Sequence, residues 1–325
     1  MPRCKFAAWL GRPSSCVAVV GASGWVGMAL IDQILAAKPD LSTERLRLFG
    51  SRPRSLTIGG HDLALEPLLP SPTALGDGDW LVLHAGIIGA DRVEGGDLVE
   101  VRRRNDAMLE RVFALAETGE TRRLAFFSSG AAARPDAGGP AKQAYGRMKR
   151  DHEIETTAWS ARTGREVMIP RIFSLGGPYI NHTEAYALGD FILQCARRGR
   201  IAIGAEVPVV RSFVHVLDAA RIVLDMAVDD AEPGEPFDIC LGRATELGAL
   251  AEAVAVALAV APVVDRPPLA AGGDVYVGDG ARFQAALSRR GETPASLSRI
   301  VGDTVAYLRQ TGELSAAPSA DRDDA

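Results

Sequence analysis

A glycine-rich turn between an apolar strand and a helix constrains the fold of this chain more than any other feature. Residues 15–20 read Ser-Cys-Val-Ala-Val-Val, a run typical of a central parallel strand covered on both faces. Gly21, Gly24 and Gly27 follow, and helical periodicity continues until Pro39. Such glycines permit a tight turn, a close approach to a pyrophosphate and close helix packing. The helix N-terminus then offers amides to an anion, so the turn predicts a dinucleotide site.

Strands and helices alternate through the first half of the chain. Apolar runs typical of strands recur at residues 45–50, 80–84, 123–127 and 166–169, with helical stretches at 98–117 and 141–162. This alternation predicts an α/β fold with a Rossmann-type, doubly wound parallel sheet. After Pro170 the alternation weakens, which predicts a smaller, mainly C-terminal, substrate-binding lobe. Residues 1–14 read as an irregular lead-in.

The end of the second predicted strand indicates the type of dinucleotide. An NAD site usually has a carboxylate there for the ribose 2′-hydroxyl, whereas an arginine suits the 2′-phosphate of NADP. This chain has Ser51 and Arg52 after Gly50, with no acid. We therefore expect NADP(H), with both side chains on the phosphate. The alternative is that Arg52 is only solvated and that the protein takes NAD(H) or both cofactors.

The predicted domain boundaries follow the changes in pattern. We expect an NAD(P)-binding Rossmann domain over residues 15–172, with a return segment near 208–238. The substrate-binding lobe would comprise residues 173–207 and 239–312. Residues 313–325, rich in Ala, Ser, Asp and Pro, read as a disordered tail.

Composition excludes several classes of protein. The 325-residue chain has a formal net charge of −5, so it lacks the broad basic field that nucleic-acid binding needs. Its four cysteines form no Cys-x-x-Cys pair, which argues against a disulfide scaffold or a zinc site. The apolar stretch 248–264 contains Glu252 and is too short for a membrane span, so we expect a buried or amphipathic helix there. We expect no metal, no nucleic-acid or membrane partner and a cytoplasmic location.

Tyr145 and Lys149 form a Tyr-x-x-x-Lys pair inside the second helical stretch. Residues at i and i+4 lie on one face of a helix, and an ammonium beside a phenol lowers the pKa of the phenol. Such a tyrosine can act as a general acid or base on a carbonyl or alcohol. Ser129 follows the strand at 123–127, whose carboxyl end should face the ligand cleft. The alternatives are that the tyrosine–lysine spacing is structural and that Ser128 and Ser129 only cap a turn.

The order of these motifs resembles that of the extended short-chain dehydrogenases/reductases, the NAD(P)-dependent nucleotide-sugar epimerase/dehydratase/reductase family. The resemblance covers roughly residues 15–312. Besides the glycine turn and Tyr-x-x-x-Lys, the matching segments are Ser128-Ser129-Gly130-Ala131, Pro170-Arg171-Ile172-Phe173 with Gly177-Pro178, Arg211-Ser212-Phe213-Val214-His215-Val216-Leu217-Asp218, and a late pattern from Tyr276-Val277 through Arg309.

The resemblance implies roles for individual residues. Ser129, Tyr145 and Lys149 would form the catalytic triad, and Lys149 would also hold the nicotinamide ribose. The residues expected to bind the cofactor include the two strand-end residues already named. The full set is Gly21, Ser23, Gly24, Trp25, Val26, Gly27, Ser51, Arg52, Ala85, Gly86, Asn105, Tyr145, Lys149 and Pro170. The expected substrate-binding residues are Ser129, Ser174, Asp190, Phe191 and Arg211, with Arg211 on the diphosphate of a nucleotide sugar.

Three departures from the family pattern bear on the reaction. Residues 132–134 read Ala-Ala-Arg in place of the usual aromatic-glycine pair, so we expect the loop over the sugar to differ from that of the family. Ser174 stands where an asparagine is frequent. Gly130 and Ala131 stand where sugar 4,6-dehydratases carry Asp-Glu, so the acid and base for eliminating water are missing and a dehydratase is not expected.

These arguments predict an NADP(H)-dependent oxidoreductase that reduces the keto group, at C4, of a nucleotide-activated deoxy-sugar, with Tyr145 as general acid/base. One alternative is a nucleotide-sugar 4-epimerase that retains tightly bound NAD. Another is a non-catalytic sensor that binds NADP. Family members often pair through the helices near 98–117 and 141–162, which implies a homodimer.

Overall fold

The computed structural model describes residues 4–68, 74–89, 96–229, 234–261 and 263–314. Its largest sheet has seven strands, which are in spatial order β3 (Arg54–Ile58), β4 (His61–Pro67), β2 (Leu46–Gly50), β1 (Ser15–Val20), β5 (Asp79–His84), β6 (Glu120–Phe126) and β8 (Glu166–Met168). All neighbouring strands are parallel except the β3–β4 pair, which is antiparallel. The predicted α/β class with a mainly parallel Rossmann-type sheet is confirmed.

Helices cover both faces of this sheet, as the side chains of β1 demonstrate. Val17 and Val19 belong to a buried cluster that includes Leu30 of α2 (Trp25–Ala37). The alternate residues of β1 belong to a second cluster, formed with α3 (Leu98–Glu117) and α4 (Pro140–Thr163). Successive strand residues point to opposite faces, so a fully apolar strand can pack on both helix layers at once.

Two features of the first half differ from the sequence prediction. Residues 5–10 form a helix, α1 (Lys5–Leu10), rather than an irregular lead-in, and it buries Phe6 and Trp9. The Phe6 amide donates to Asp225 at 2.9 Å, so a distant carboxylate anchors this helix. Residues 54–67 form the β3–β4 hairpin, whose turn is Gly59-Gly60 with φ of 57° and 81°. Paired left-handed positions favour glycine in such tight hairpins.

The second half contains shorter elements. Small sheets are formed by β7 (Ser128–Ser129), β9 (Pro170–Ile172) and β14 (Phe237–Ile239); by β10 (Ser174–Gly176) and β13 (Phe213–His215); by β11 (Arg200–Ala202) and β16 (Val263–Asp265); and by β12 (Val209–Arg211), β15 (Thr245–Glu246) and β17 (Asp274–Tyr276). The helices are α5 (Ala187–Arg198), α6 (Val216–Ala227), α7 (Leu247–Leu258), α8 (Ala281–Arg289) and α9 (Leu297–Gln310).

These helices fall into two packing groups. α5, α7 and α9 pack on one another, whereas α6 packs on α1 and α2. Part of the predicted return segment therefore lies against the glycine-turn helix. The proposed domain division itself remains a prediction, because one buried apolar cluster includes residues of both halves.

The beginning of the predicted tail differs from expectation where it is described. Leu314 is buried, and Glu313 accepts a hydrogen bond from Thr183 at 2.7 Å. These two residues are therefore packed, and the remainder of the predicted tail, 315–325, lies outside the described residues. Within the described ranges, no helix is both long enough and apolar enough to cross a membrane.

Candidate functional site

The glycine turn brings two backbone segments into direct contact. Gly21 has a φ of 83°, and a Cβ at this position would lie 2.4 Å from the Cα of Gly86, which follows β5. A Cβ on Gly27 would lie 2.2 Å from the carbonyl oxygen of Gly21. No side chain fits at either position without moving backbone. The glycines are thus needed for the closeness of β1, α2 and the segment after β5.

The N-terminus of α2 has the features of an anion site. Gly24 precedes the helix, and no side chain caps it. Helix amides in the first turn have no intrahelical acceptor, so those of Trp25, Val26 and Gly27 remain for a ligand. Ser23 lies half-buried in the turn itself. This arrangement can bind the pyrophosphate of a dinucleotide.

Ser51 and Arg52 lie on the surface directly after β2. Among the residues that the structure describes, Arg52 has no ion-pair or hydrogen-bond partner for its guanidinium, which is therefore available to a phosphate. Glu66 lies opposite Phe49 on the neighbouring strand, but Arg47 holds its carboxylate through two hydrogen bonds of 2.5 and 2.8 Å. The carboxylate near this strand end is therefore already neutralised.

Asn105 of α3 fixes the segment that follows β5. Its side-chain amide donates to the carbonyl oxygens of Ile88 at 2.9 Å and Val101 at 2.8 Å, and its oxygen accepts from the Ile88 amide at 3.0 Å. The side chain was predicted among the cofactor-binding residues. Because its amide group donates to two backbone carbonyl oxygens, Asn105 positions the loop that contains Ala85 and Gly86 instead of offering donors to a ligand.

Ser129 lies in β7, next to the end of β6, and is buried. Its Oγ accepts from the Ala131 amide at 3.2 Å and lies 3.2 Å from the hydroxyl oxygen of Tyr276. The serine therefore caps the short 3₁₀ turn Gly130–Ala133, as the structural alternative predicted. It also hydrogen-bonds Tyr145, so capping and participation in the site are compatible.

The Tyr145 hydroxyl lies close to Ser129, although 37% of the residue is exposed. Burial of the hydroxyl, with Tyr276 and Tyr186 nearby, raises the pKa of Tyr145 to about 12, while the hydrogen bond from Ser129 opposes the rise. The expectation that Lys149 lowers the pKa of Tyr145 is wrong. The groups that surround the hydroxyl in this chain raise that pKa instead. The phenol is protonated at neutral pH.

Lys149 follows Tyr145 by one helical turn but is directed at the strand. Its Nζ donates to the carbonyl oxygen of Phe127 at 3.0 Å and lies 4.8 Å from the ring centre of Phe126. Burial lowers the pKa of Lys149 to about 8, and the charge of Glu153 opposes this shift. The lysine is thus held beneath the carboxyl end of β6.

A buried acid lies one turn further along α4 and was missed by the sequence analysis. Glu153 accepts from the Ser128 hydroxyl at 2.6 Å and from Arg171 at 2.8 and 2.7 Å. It follows Lys149 at the same four-residue spacing that links Lys149 to Tyr145, which was the available signal. The group ties α4 to β7 and β9.

The predicted substrate residues have different surroundings. Arg211 donates to the Asp274 carboxylate at 2.7 Å and lies 5.8 Å from the ring centre of Tyr276, so it is brought to the site. Ser174 is half-buried in β10, and Asp190 accepts from Gln194 at 2.7 Å. Phe191 is 4% exposed within the apolar core and therefore stabilises the fold instead of presenting a binding surface.

Trp25 links the glycine turn to the second half of the chain. Its indole Nε1 donates to the carbonyl oxygen of Pro178 at 2.8 Å, and its ring lies 5.1 Å from the ring of Tyr186. Pro170, a predicted cofactor-binding residue in the second half of the chain, is buried at the start of β9. Tyr186 and Tyr276 were not predicted, although Tyr276 belongs to the late sequence pattern.

Comparisons with known proteins agree on the fold. The model of the NAD dependent epimerase/dehydratase family matches residues 17–240. No curated protein sequence matches the chain significantly.

Three solved structures illustrate the similarity in fold. UDP-glucose 4-epimerase of Thermotoga maritima, in complex with UDP-glucose, is 18% identical with a TM-score of 0.63, and the match covers 91% of this chain and 99% of that one. WbmF of Bordetella bronchiseptica, in complex with NAD⁺ and UDP, is 16% identical with a TM-score of 0.72, covering 92% and 93%. A GDP-L-fucose synthetase of Naegleria fowleri is 16% identical with a TM-score of 0.72, covering 94% and 97%.

Proposed function

Since the chain belongs to the NAD-dependent epimerase/dehydratase family, we propose that it is an NADP(H)-dependent oxidoreductase that reduces the C4 keto group of a nucleotide-activated deoxy-sugar. One observation carries the proposal: the hydroxyls of Ser129 and Tyr145 meet beside the carboxyl ends of the central strands, with Lys149 beneath them. Ligands of doubly wound sheets bind at that edge.

The residues of the chain fit a dinucleotide. The amides at the start of α2 would bind its pyrophosphate, and the glycines at positions 21 and 27 keep that region clear of side chains. Arg52 and Ser51 would bind the 2′-phosphate, which favours NADP(H) over NAD(H). When bound, the reduced nicotinamide supplies the hydride for the reduction.

Tyr145 is the proposed proton donor. A carbonyl oxygen that gains negative charge during reduction needs a proton, and a phenol with a pKa of about 12 still holds one at neutral pH. Ser129 would donate a hydrogen bond to the same oxygen and stabilise the developing charge. The raised pKa keeps Tyr145 in the protonated form that reduction of a carbonyl requires.

Positive charge near Tyr276 supports a phosphorylated substrate. Arg211 lowers the pKa of Asp274 through a direct hydrogen bond, and Lys142 and Arg134 lower it further through their charges. A substrate diphosphate would take the place of the Asp274 carboxylate on Arg211. The structures that contain UDP-glucose and UDP are of proteins with the same fold, which supports a nucleotide sugar as substrate.

A 4-epimerase with tightly bound NAD is the second candidate. The fold similarity to a UDP-glucose 4-epimerase favours it, and the same three catalytic side chains would serve.

We also propose a homodimer through α3 and α4, which leave Val99 and Ile154 exposed. The cytoplasmic location remains a prediction.

Turnover with a nucleotide-linked 4-keto sugar tests the proposal. We expect purified protein to oxidise NADPH with such a sugar, and Tyr145→Phe to lower kcat by about 100-fold or more. Tyr307→Phe, which removes a phenol from α9, is the matched control and should keep wild-type turnover. Release of NAD on denaturation, with interconversion of 4-epimers and no consumption of NADPH, would favour the epimerase. Absence of both activities would contradict the proposal.

A further inference from the structure

Tyr276 brings a second phenol to the candidate catalytic serine. It ends β17, and its hydroxyl oxygen lies 3.2 Å from Ser129 Oγ, although the two residues are 147 positions apart. We propose that Tyr276 is a positioning residue, which holds the Ser129 hydroxyl in the orientation that donates to the substrate carbonyl oxygen. The inference rests on the proposed function and adds a residue to its catalytic set.

The hydrogen bonds of Ser129 limit the directions in which its own proton can point. A serine hydroxyl has one donor and two acceptor sites. The Ala131 amide donates to Oγ at 3.2 Å and takes one acceptor site. With Tyr276 as the second donor, both acceptor sites are filled. The single Ser129 O–H is then left for the side on which Tyr145 lies, where it would donate to Tyr145 before substrate binds and to the substrate oxygen afterwards.

The surroundings of Tyr276 favour it as the donor of this pair. The Ala131 N–H lies beside both oxygens and can donate but not accept, so the Tyr276 proton has Ser129 Oγ as its acceptor. Burial raises the pKa of Tyr276, although Arg134 and Arg211 lower it in part, so the phenol keeps its proton at neutral pH. A donation in the opposite sense would turn the serine proton away from Tyr145.

The Tyr276 ring is held by a phenylalanine for which two glycines leave room. The ring centres of Phe173 and Tyr276 are 4.7 Å apart. A Cβ on Gly130 would lie 2.5 Å from the Phe173 ring, and one on Gly278 would lie 2.4 Å from it. Gly130 directly follows Ser129, and Gly278 lies two residues after Tyr276. The segments that present both hydroxyls therefore close on one aromatic ring, which fixes their separation.

A double-mutant cycle tests whether Tyr276 acts through Ser129. With NADPH and a nucleotide-linked 4-keto sugar, we expect Tyr276→Phe to lower kcat by about 3- to 10-fold and to leave KM within about 2-fold, as loss of one hydrogen bond implies. In a Ser129→Ala background, the same change should alter kcat by less than about 2-fold, because coupled residues are not additive. Tyr307→Phe is again the matched control.

Two outcomes of the cycle would overturn the inference. Unchanged kcat in Tyr276→Phe, with Tyr145→Phe inactive, would leave the proposed function intact and remove the role of Tyr276. Additive losses in the double variant would mean that Tyr276 acts on the substrate independently of Ser129. Thermal unfolding of each variant shows whether a loss of activity reflects loss of the fold.

A readout without turnover separates this inference from the proposed function. In protein carrying tyrosine labelled with ¹³C at Cζ, the resonance lost in Tyr145→Phe identifies Tyr145. We expect that resonance to shift in Tyr276→Phe and to stay in place in Tyr307→Phe, because only the first change releases the Ser129 proton. An unmoved resonance would overturn the inference, whether or not the wild-type protein reduces a sugar.

Discussion

The Nζ of Lys149 donates to the carbonyl oxygen of Phe127 at 3.0 Å, so this lysine is bound to the end of β6 and not to the Tyr145 hydroxyl. The pair that the sequence places on one helix face is therefore divided between two tasks. The tyrosine meets Ser129, and the lysine holds charge beneath the strand ends.

Burial of Lys149 predicts a pH dependence of stability. Its pKa falls from 10.5 to about 8 on folding, so between these values the unfolded chain binds more protons than the folded chain. The free energy of unfolding should therefore rise with pH across this window, relative to Lys149→Met, by an amount of the order of 1–3 kcal/mol. Below pH 8 the difference between the two proteins should be constant. Urea unfolding at several pH values measures it, and parallel pH curves would contradict the prediction.

Glu153 should be more important for stability than an exposed acid. Glu153→Gln leaves the largely buried Arg171 guanidinium with only the Asp238 carboxylate, 3.8 Å away, so we expect a loss of about 3–5 kcal/mol in the free energy of unfolding. Glu100→Gln, in an exposed ion pair with Arg103, is the matched control and should cause no measurable loss. Urea denaturation compares them. Equal stabilities of the two variants would disprove the structural importance of the buried pair.

Arg52 should decide between the two nicotinamide cofactors. Arg52→Asp removes a phosphate contact and adds repulsion, so we expect the Kd for NADPH to rise by about 10- to 100-fold. The Kd for NADH should change by less than about 3-fold, because that ligand has no 2′-phosphate. Titration calorimetry with both cofactors tests this, with Arg54→Asp as control. Equal effects on both ligands would place Arg52 outside the phosphate site.

The proposed homodimer depends on the exposed surface of α4. Ile154 is 59% exposed, and Ile154→Asp would put a charge into a contact between subunits. Light scattering after size exclusion should give twice the mass of one chain for the wild type and the mass of one chain for the variant. A wild-type protein that is monomeric at micromolar concentration would rule the dimer out.

Local sequence patterns predicted the elements that depend on neighbouring residues. The strand Ser15–Val20 and the helix Leu98–Glu117 have the predicted bounds, since apolar runs and helical periodicity are local signals. The same holds for the glycine turn, whose close backbone approach admits no side chain at position 21.

Features that depend on distant residues were not predictable in this way. α1 is stabilised by Asp225, which is 219 residues from Phe6. Tyr276 contacts Ser129 although the two residues are 147 positions apart, and no spacing within one helix or strand predicts that contact. The direction in which the pKa of Tyr145 shifts also depends on the groups around its hydroxyl. Burial raises this pKa by more than the hydrogen bond with Ser129 lowers it.

The packing of Phe173 on Gly130 limits how this chain could change its reaction in evolution. Any residue with a side chain at position 130, including the carboxylate typical of sugar dehydratases, would collide with the aromatic ring. A single codon change there would damage the site before it added a new acid. Conversion to water elimination therefore requires coordinated changes at positions 130 and 173. More than one mutational step separates the reduction of a keto sugar from the elimination of water.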